Sequence, residues 1–197
     1  MTTTDSSTTS RPSGVLTAEQ IAALTYPPPA GNDVEILLGS LERMRRTFIW
    51  KASGVPDETS RTVTVGTSTL TLSGLMKHLT YCEYHCFMGR FLYIQPPGPP
   101  DSSAHEDWYF TPGPDETPEV LLDGWRRAAQ KSREIVAEAL AGEQGLDTMG
   151  KLVWPDGRSQ TLRAIITDLI EEYGRHTGHA DLIRESIDGL VGEDPPD

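Results

Sequence analysis

With 197 residues the chain has room for one well-cored domain, and two would be crowded. Its 17 Lys and Arg against 29 Asp and Glu leave a formal net charge of −12, which repels phosphate backbones and anionic lipid, so neither nucleic acid nor membrane is an expected partner. Its two cysteines, Cys82 and Cys86, are too few and too close together for the disulfide framework of a secreted protein.

No apolar run approaches the ~20 residues of a membrane span. The opening MTTTDSSTTSRPSG lacks the basic start and apolar core of a secretory signal, and the expected location is the cytoplasm. Residues 1–14, rich in Ser and Thr without an apolar period, read as a disordered tail; 15–190 read as one domain and 191–197 as a C-terminal tail. LTAEQIAALTYPPPA predicts a short helix capped by Thr17 and stopped by Pro27 to Pro29. Asn32 or Asp33 caps a first long helix with Val34, Leu37, Leu38, Leu41, Met44 and Phe48 on one face, ending near Gly54. The run ERMRR on that helix reads as an exposed face. TSRTVTVGTSTLTLS reads as a loop with one poor strand.

A second long helix, opened by Ser73, is predicted from Leu72 to Ile94 and stopped by QPPGPP, with Leu75, Leu79, Cys82 and Cys86 as its stripe. His78 lies about 40° from Cys82, at the edge of the buried face. The connection from Asp101 to Thr117 carries Trp108, Tyr109 and Phe110, which cover one end of the core. A third helix runs from Pro118 to Gly142, and Thr161 caps a fourth that ends at Gly189. Four long helices with two long connections predict an all-α four-helix bundle with long crossovers, whose sites are built from inward side chains of facing helices.

The chemistry concentrates on the fourth helix, LRAIITDLIEEYGRHTGHADLIRES. At about 100° per residue, Glu172, His176 and His179 fall within an arc of about 60°, so three potential metal ligands point the same way. His176 also continues the stripe Leu169, Tyr173, Ala180 and Ile183, and a satisfied core histidine is the competing reading. His78, Cys82 and Cys86 recur at four-residue steps, yet they spread over about 80° of the helix, and the cysteines read as core fillers. Glu83 reads as a structural partner, Glu171 as a solvated charge, and His85 and His105 as surface or loop histidines.

LLGSLERMRRTFIWKASGVPDE, LTLSGLMKHLTYCEYHCF, DWYF and the fourth-helix segment, in that order over residues 34–189, resemble the DinB-like superfamily of four-helix proteins. The similarity is to its actinobacterial branch, which includes mycothiol-dependent S-transferases. The resemblance implies a divalent metal, zinc or nickel, held by a histidine of the second helix and two ligands of the fourth. By position these are His78 and, before Ala-Asp-Leu, His179. Many members space the fourth-helix pair by four residues, but Arg175 stands four before His179, so His176 takes the middle place. Glu172 is the reserve ligand, because a carboxylate serves in the related maleylpyruvate isomerases; otherwise it is the candidate catalytic residue, moving a proton, with Asp181 and Asp168 behind it. Cys86 stands where many relatives have tryptophan.

The implied function is a metal-dependent transferase that activates a low-molecular-weight thiol, mycothiol or similar, as co-substrate for attack on an electrophilic small molecule. The other readings are a thiol-dependent isomerase and a non-catalytic metal-binding stress-response bundle. A homodimer is compatible with each.

Overall fold

The computed structural model describes residues 16–99 and 106–196. The expected N-terminal tail and His105 lie outside them. Among the described residues there are four long and two short α-helices and no strand; the residues around Gly66 form an irregular loop instead of the expected poor strand. Without a neighbouring strand to complete its ladder, such a segment has no partner for its backbone groups.

The caps follow the local chemistry. Thr17 and Gln20 form a reciprocal capping box on α1 (Ala18–Ala22), and Asn32 and Glu35 do the same on α2 (Asp33–Ala52). After a single turn, α3 (Asp57–Ser60), the chain enters α4 (Leu72–Tyr84) with Thr71 as cap, its hydroxyl accepting from Gly74 N at 3.0 Å. The expected Ser73 is not the cap: its hydroxyl is 2.6 Å from that of Ser60. Beyond Tyr84 the helix widens into a π-helical segment, His85–Phe91, closed by Leu92 N donating to Phe87 O. Thr117 and Pro118 open α5 (Pro118–Leu140), and Thr161 opens α6 (Leu162–Asp188), which Gly189 ends in the left-handed region at φ 77°.

Side-chain pairs give the helix directions. Asp33 meets Arg163 at 2.9 Å and Lys51 meets Asp181 at 3.0 Å, so α2 and α6 pack side by side with their N-termini together. Lys77 meets Glu116 at 2.8 Å while Ser132 reaches the Glu83 carbonyl, so α4 and α5 are also parallel neighbours. His78 faces His176 while Arg90 bonds Asp168, so the α4/α5 pair runs antiparallel to the α2/α6 pair. Two consecutive helices can be parallel only if the chain travels back the full length of the bundle. The described residues 92–99 and 106–117 belong to this return, and the second stretch carries the aromatic loop.

The bundle centre is polar as well as apolar. Around Phe48, Leu75, Leu79, Phe87, Ile165 and Leu169 runs a chain of hydrogen bonds touching every long helix. Trp125 donates to Tyr173 OH at 2.7 Å, and Tyr173 donates to Glu83 at 2.7 Å. Glu83 accepts two bonds from Arg45, Arg45 donates to Glu42 at 2.6 Å, and Arg133 donates to Glu42 at 2.9 and 2.8 Å. The expectation of an exposed ERMRR face is therefore corrected for Glu42 and Arg45, each only 2% exposed. Their spacing from Leu38, Leu41 and Phe48 puts them on the buried stripe, and only mutual pairing makes charge tolerable there. At the far end, residues 190–194 lie back along α2, with Arg43 bonding both carboxylate oxygens of Asp194 at 3.0 and 2.9 Å.

Candidate metal centre

Where α4, α6 and the aromatic loop meet, the donor atoms converge on one carboxylate oxygen. Glu172 Oε2 is 3.6 Å from His78 Nε2 and 3.3 Å from His176 Nε2. Glu172 Oε1 turns the other way and accepts from Arg175 at 3.1 Å, which fixes the carboxylate's orientation. Four residues are one helical turn, so Glu172 and His176 stack on one face of α6 opposite His78 of α4.

The surroundings complete the geometry. Phe110 lies flat on His78, ring centres 4.1 Å apart and planes 14° apart, and the His78 and His176 rings meet at 4.6 Å. The loop approaches closely because Gly74 has no side chain: a Cβ there would run into the Phe110 carbonyl oxygen. Lys77 anchors the same loop, bonding Thr111 O at 3.0 Å and Glu116 at 2.8 Å and sitting 4.0 Å over the Trp108 ring.

His179 is on the other side of His176. Its Nδ1 lies 3.3 Å from His176 Nδ1, so the two nitrogens of the His176 ring face different partners, Glu172 at Nε2 and His179 at Nδ1. His78 Nδ1 is buried without a hydrogen-bond partner, while its Nε2 faces Glu172 Oε2. Burial lowers the pKa of His78 against the raising influence of Glu172. Burial, reinforced by His78, lowers His176 to about 4, again against Glu172. Both rings are thus neutral near pH 7, the state in which imidazole binds a metal.

One residue outside the expected set joins the group. Cys82 Sγ is 3.4 Å from His78 Nε2, and donor atoms of His78, Cys82 and Glu172 lie within 4.8 Å of one another. Cys86 is turned away and accepts from Arg90 at 2.8 Å, with burial raising its thiol to about 12. The remaining acidic candidates are engaged elsewhere: Asp181 with Lys51, Asp168 with Arg90 and Gln160. His85 is half-buried, its Nδ1 3.3 Å from Tyr81 OH.

The donor set suits a divalent cation. Nitrogen and oxygen ligands at about 2.0–2.1 Å around a tetrahedral ion are separated by about 3.3 Å, and Glu172 Oε2 already has that spacing to the two imidazoles, within 0.3 Å. A family model described as Mycothiol-S-transferase matches residues 36–189. No curated protein and no solved structure is significantly similar to the chain. The matched span contains most of α2, all of α4, α5 and α6, and every residue of the cluster, and the chain belongs to the mycothiol S-transferase family, a DinB-like branch.

Proposed function

We propose that the protein is a metal-dependent S-transferase that joins mycothiol to an electrophilic small molecule. The observation that carries this reading is the meeting of His78 Nε2 and His176 Nε2 on Glu172 Oε2 at ligand-like separations, in a chain of this family. His78, Glu172 and His176 would hold the ion, zinc or nickel. When bound, it supplies the Lewis acidity that turns a thiol into a thiolate at neutral pH.

The chain's own residues prepare that chemistry. Burial keeps both imidazoles neutral, so no second proton must leave before a ring nitrogen can bind an ion. Arg175 holds Glu172 with Oε2 inward, which supports Glu172 as a metal ligand. With His176 protonated at Nδ1, His179 Nδ1 at 3.3 Å would accept that proton, and the Nε2 lone pair would be available to the ion. Phe110 covers one face of His78 and keeps water from it. Three protein donors leave one tetrahedral position for the thiol sulfur, the catalytic arrangement.

The test is to follow conjugation of monochlorobimane by purified, metal-loaded protein with mycothiol, before and after chelation. Conjugation that stops with chelator and returns with metal supports the reading; conjugation indifferent to chelator removes it. A non-catalytic metal-binding bundle is the second reading. The observation in its favour is the Cys82 sulfur beside the same donor atoms.

A further inference from the structure

Cys82 is set against His78 by helical geometry. The two are four residues apart on α4, one turn along the same face, and Sγ reaches the very nitrogen that faces Glu172. For a tetrahedral ion with nitrogen at about 2.05 Å and sulfur at about 2.3 Å, the nitrogen–sulfur separation is about 3.6 Å. The observed 3.4 Å is close to that value. Cys86, one turn further, has its sulfur against Arg90 and cannot serve.

We propose that Cys82 is a built-in sulfur ligand that caps the centre when no thiol is present. This rests on the metal reading of His78, Glu172 and His176. On capping, the S–H bond of Cys82 breaks, a sulfur–metal bond forms and the proton leaves to solvent. An incoming thiol then takes the same position by exchange: its S–H proton passes to the departing Cys82 sulfur, and no oxidation is involved. The centre is thereby closed at rest and opened by its co-substrate, so a four-ligand resting site and a catalytic site are two states of one structure.

The experiment uses the full chain loaded with cobalt(II) in the absence of thiol, read by near-ultraviolet absorption and cobalt content. Wild type is expected to bind one cobalt with a sulfur-to-cobalt charge-transfer band. Cys82→Val is expected to bind cobalt without the band, and Cys86→Val to keep it. Adding mycothiol to Cys82→Val is expected to restore a band. Cys82→Ser serves as the second variant if Val perturbs folding, judged by far-ultraviolet circular dichroism. Cobalt bound by wild type with visible d–d bands but no charge transfer overturns the cap and leaves the three-ligand centre standing. A band that persists in Cys82→Val overturns the cap in the same way. No cobalt bound by wild type removes the centre itself, and the cap with it.

Discussion

Arg45 and Glu83 meet at the centre of the bundle as a two-point pair, Nε to Oε1 at 2.8 Å and Nη2 to Oε2 at 2.6 Å, with Glu83 wholly excluded from solvent. Burying both charges costs desolvation, and the pair is tolerable because each remaining oxygen or nitrogen has a further partner, Tyr173 on one side and Glu42 on the other. Removing one partner strands the other. Arg45→Ala and Glu83→Ala are each expected to lower unfolding free energy by about 3–5 kcal/mol, and the double variant to lose clearly less than the sum. Urea denaturation of the three variants checks this; additive losses would mean that the pair is not coupled.

Glu42 predicts acid sensitivity. Burial alone would raise its carboxyl pKa, but the charges of Arg45 and Arg133 and their hydrogen bonds bring it below the ordinary value of 4.5. A group depressed in the folded state contributes stability above its unfolded pKa and loses it as pH falls through the folded one. Stability should therefore decline below about pH 4.5. Glu42→Gln should flatten that decline while costing about 3 kcal/mol at pH 7. Unfolding curves from pH 3 to 7, as a planned range of about four pH values, distinguish a flattened profile from a parallel shift.

How much of this was visible in the sequence differs by residue. Most helix ends were, because Thr17, Asn32, Pro118, Thr161 and Gly189 carry local cap chemistry that needs no tertiary context. Arg45 was read by its charge when its place in the stripe decided its burial, and Glu83, which neutralises it, lies on another helix, as does Arg133, which pairs with Glu42. Nothing in HCFMGRF announces the π-helical widening. For the centre, an angular arc was too coarse a measure. Glu172 and His179 share a face but stand about 10.5 Å apart along the axis at 1.5 Å per residue, with His176 between them. Glu172 and His176 carry the four-residue spacing of the resemblance one turn earlier than it was sought.

Gly74 couples the loop to the centre. Because a Cβ would press on the Phe110 carbonyl, Gly74→Ala should push the aromatic loop away from α4, costing about 1–3 kcal/mol and loosening Phe110 from His78. Conjugation activity should fall with it while metal content falls little. Phe110→Leu, which keeps an apolar cover without the flat ring, should recover part of the activity lost in Phe110→Ala. Metal content that collapses in Gly74→Ala would instead make the loop part of the metal's own support.

The centre itself is tested by separating Glu172 from His179. If the ion sits between His78 Nε2, Glu172 Oε2 and His176 Nε2, then His78→Ala, Glu172→Ala and His176→Ala should each lose metal after dialysis against a weak chelator. His179→Ala should retain it, because His179 touches the His176 ring at Nδ1, on the opposite edge from Glu172. Losing an orienting partner of that kind weakens metal binding by about 10–100-fold without abolishing it. The measurement is metal content by mass spectrometry alongside a competition titration for affinity. A variant set in which His179→Ala is empty and Glu172→Ala is full would move the ion to the other face of His176. It would also separate the ion from Cys82, because that sulfur lies on the Glu172 side of His78.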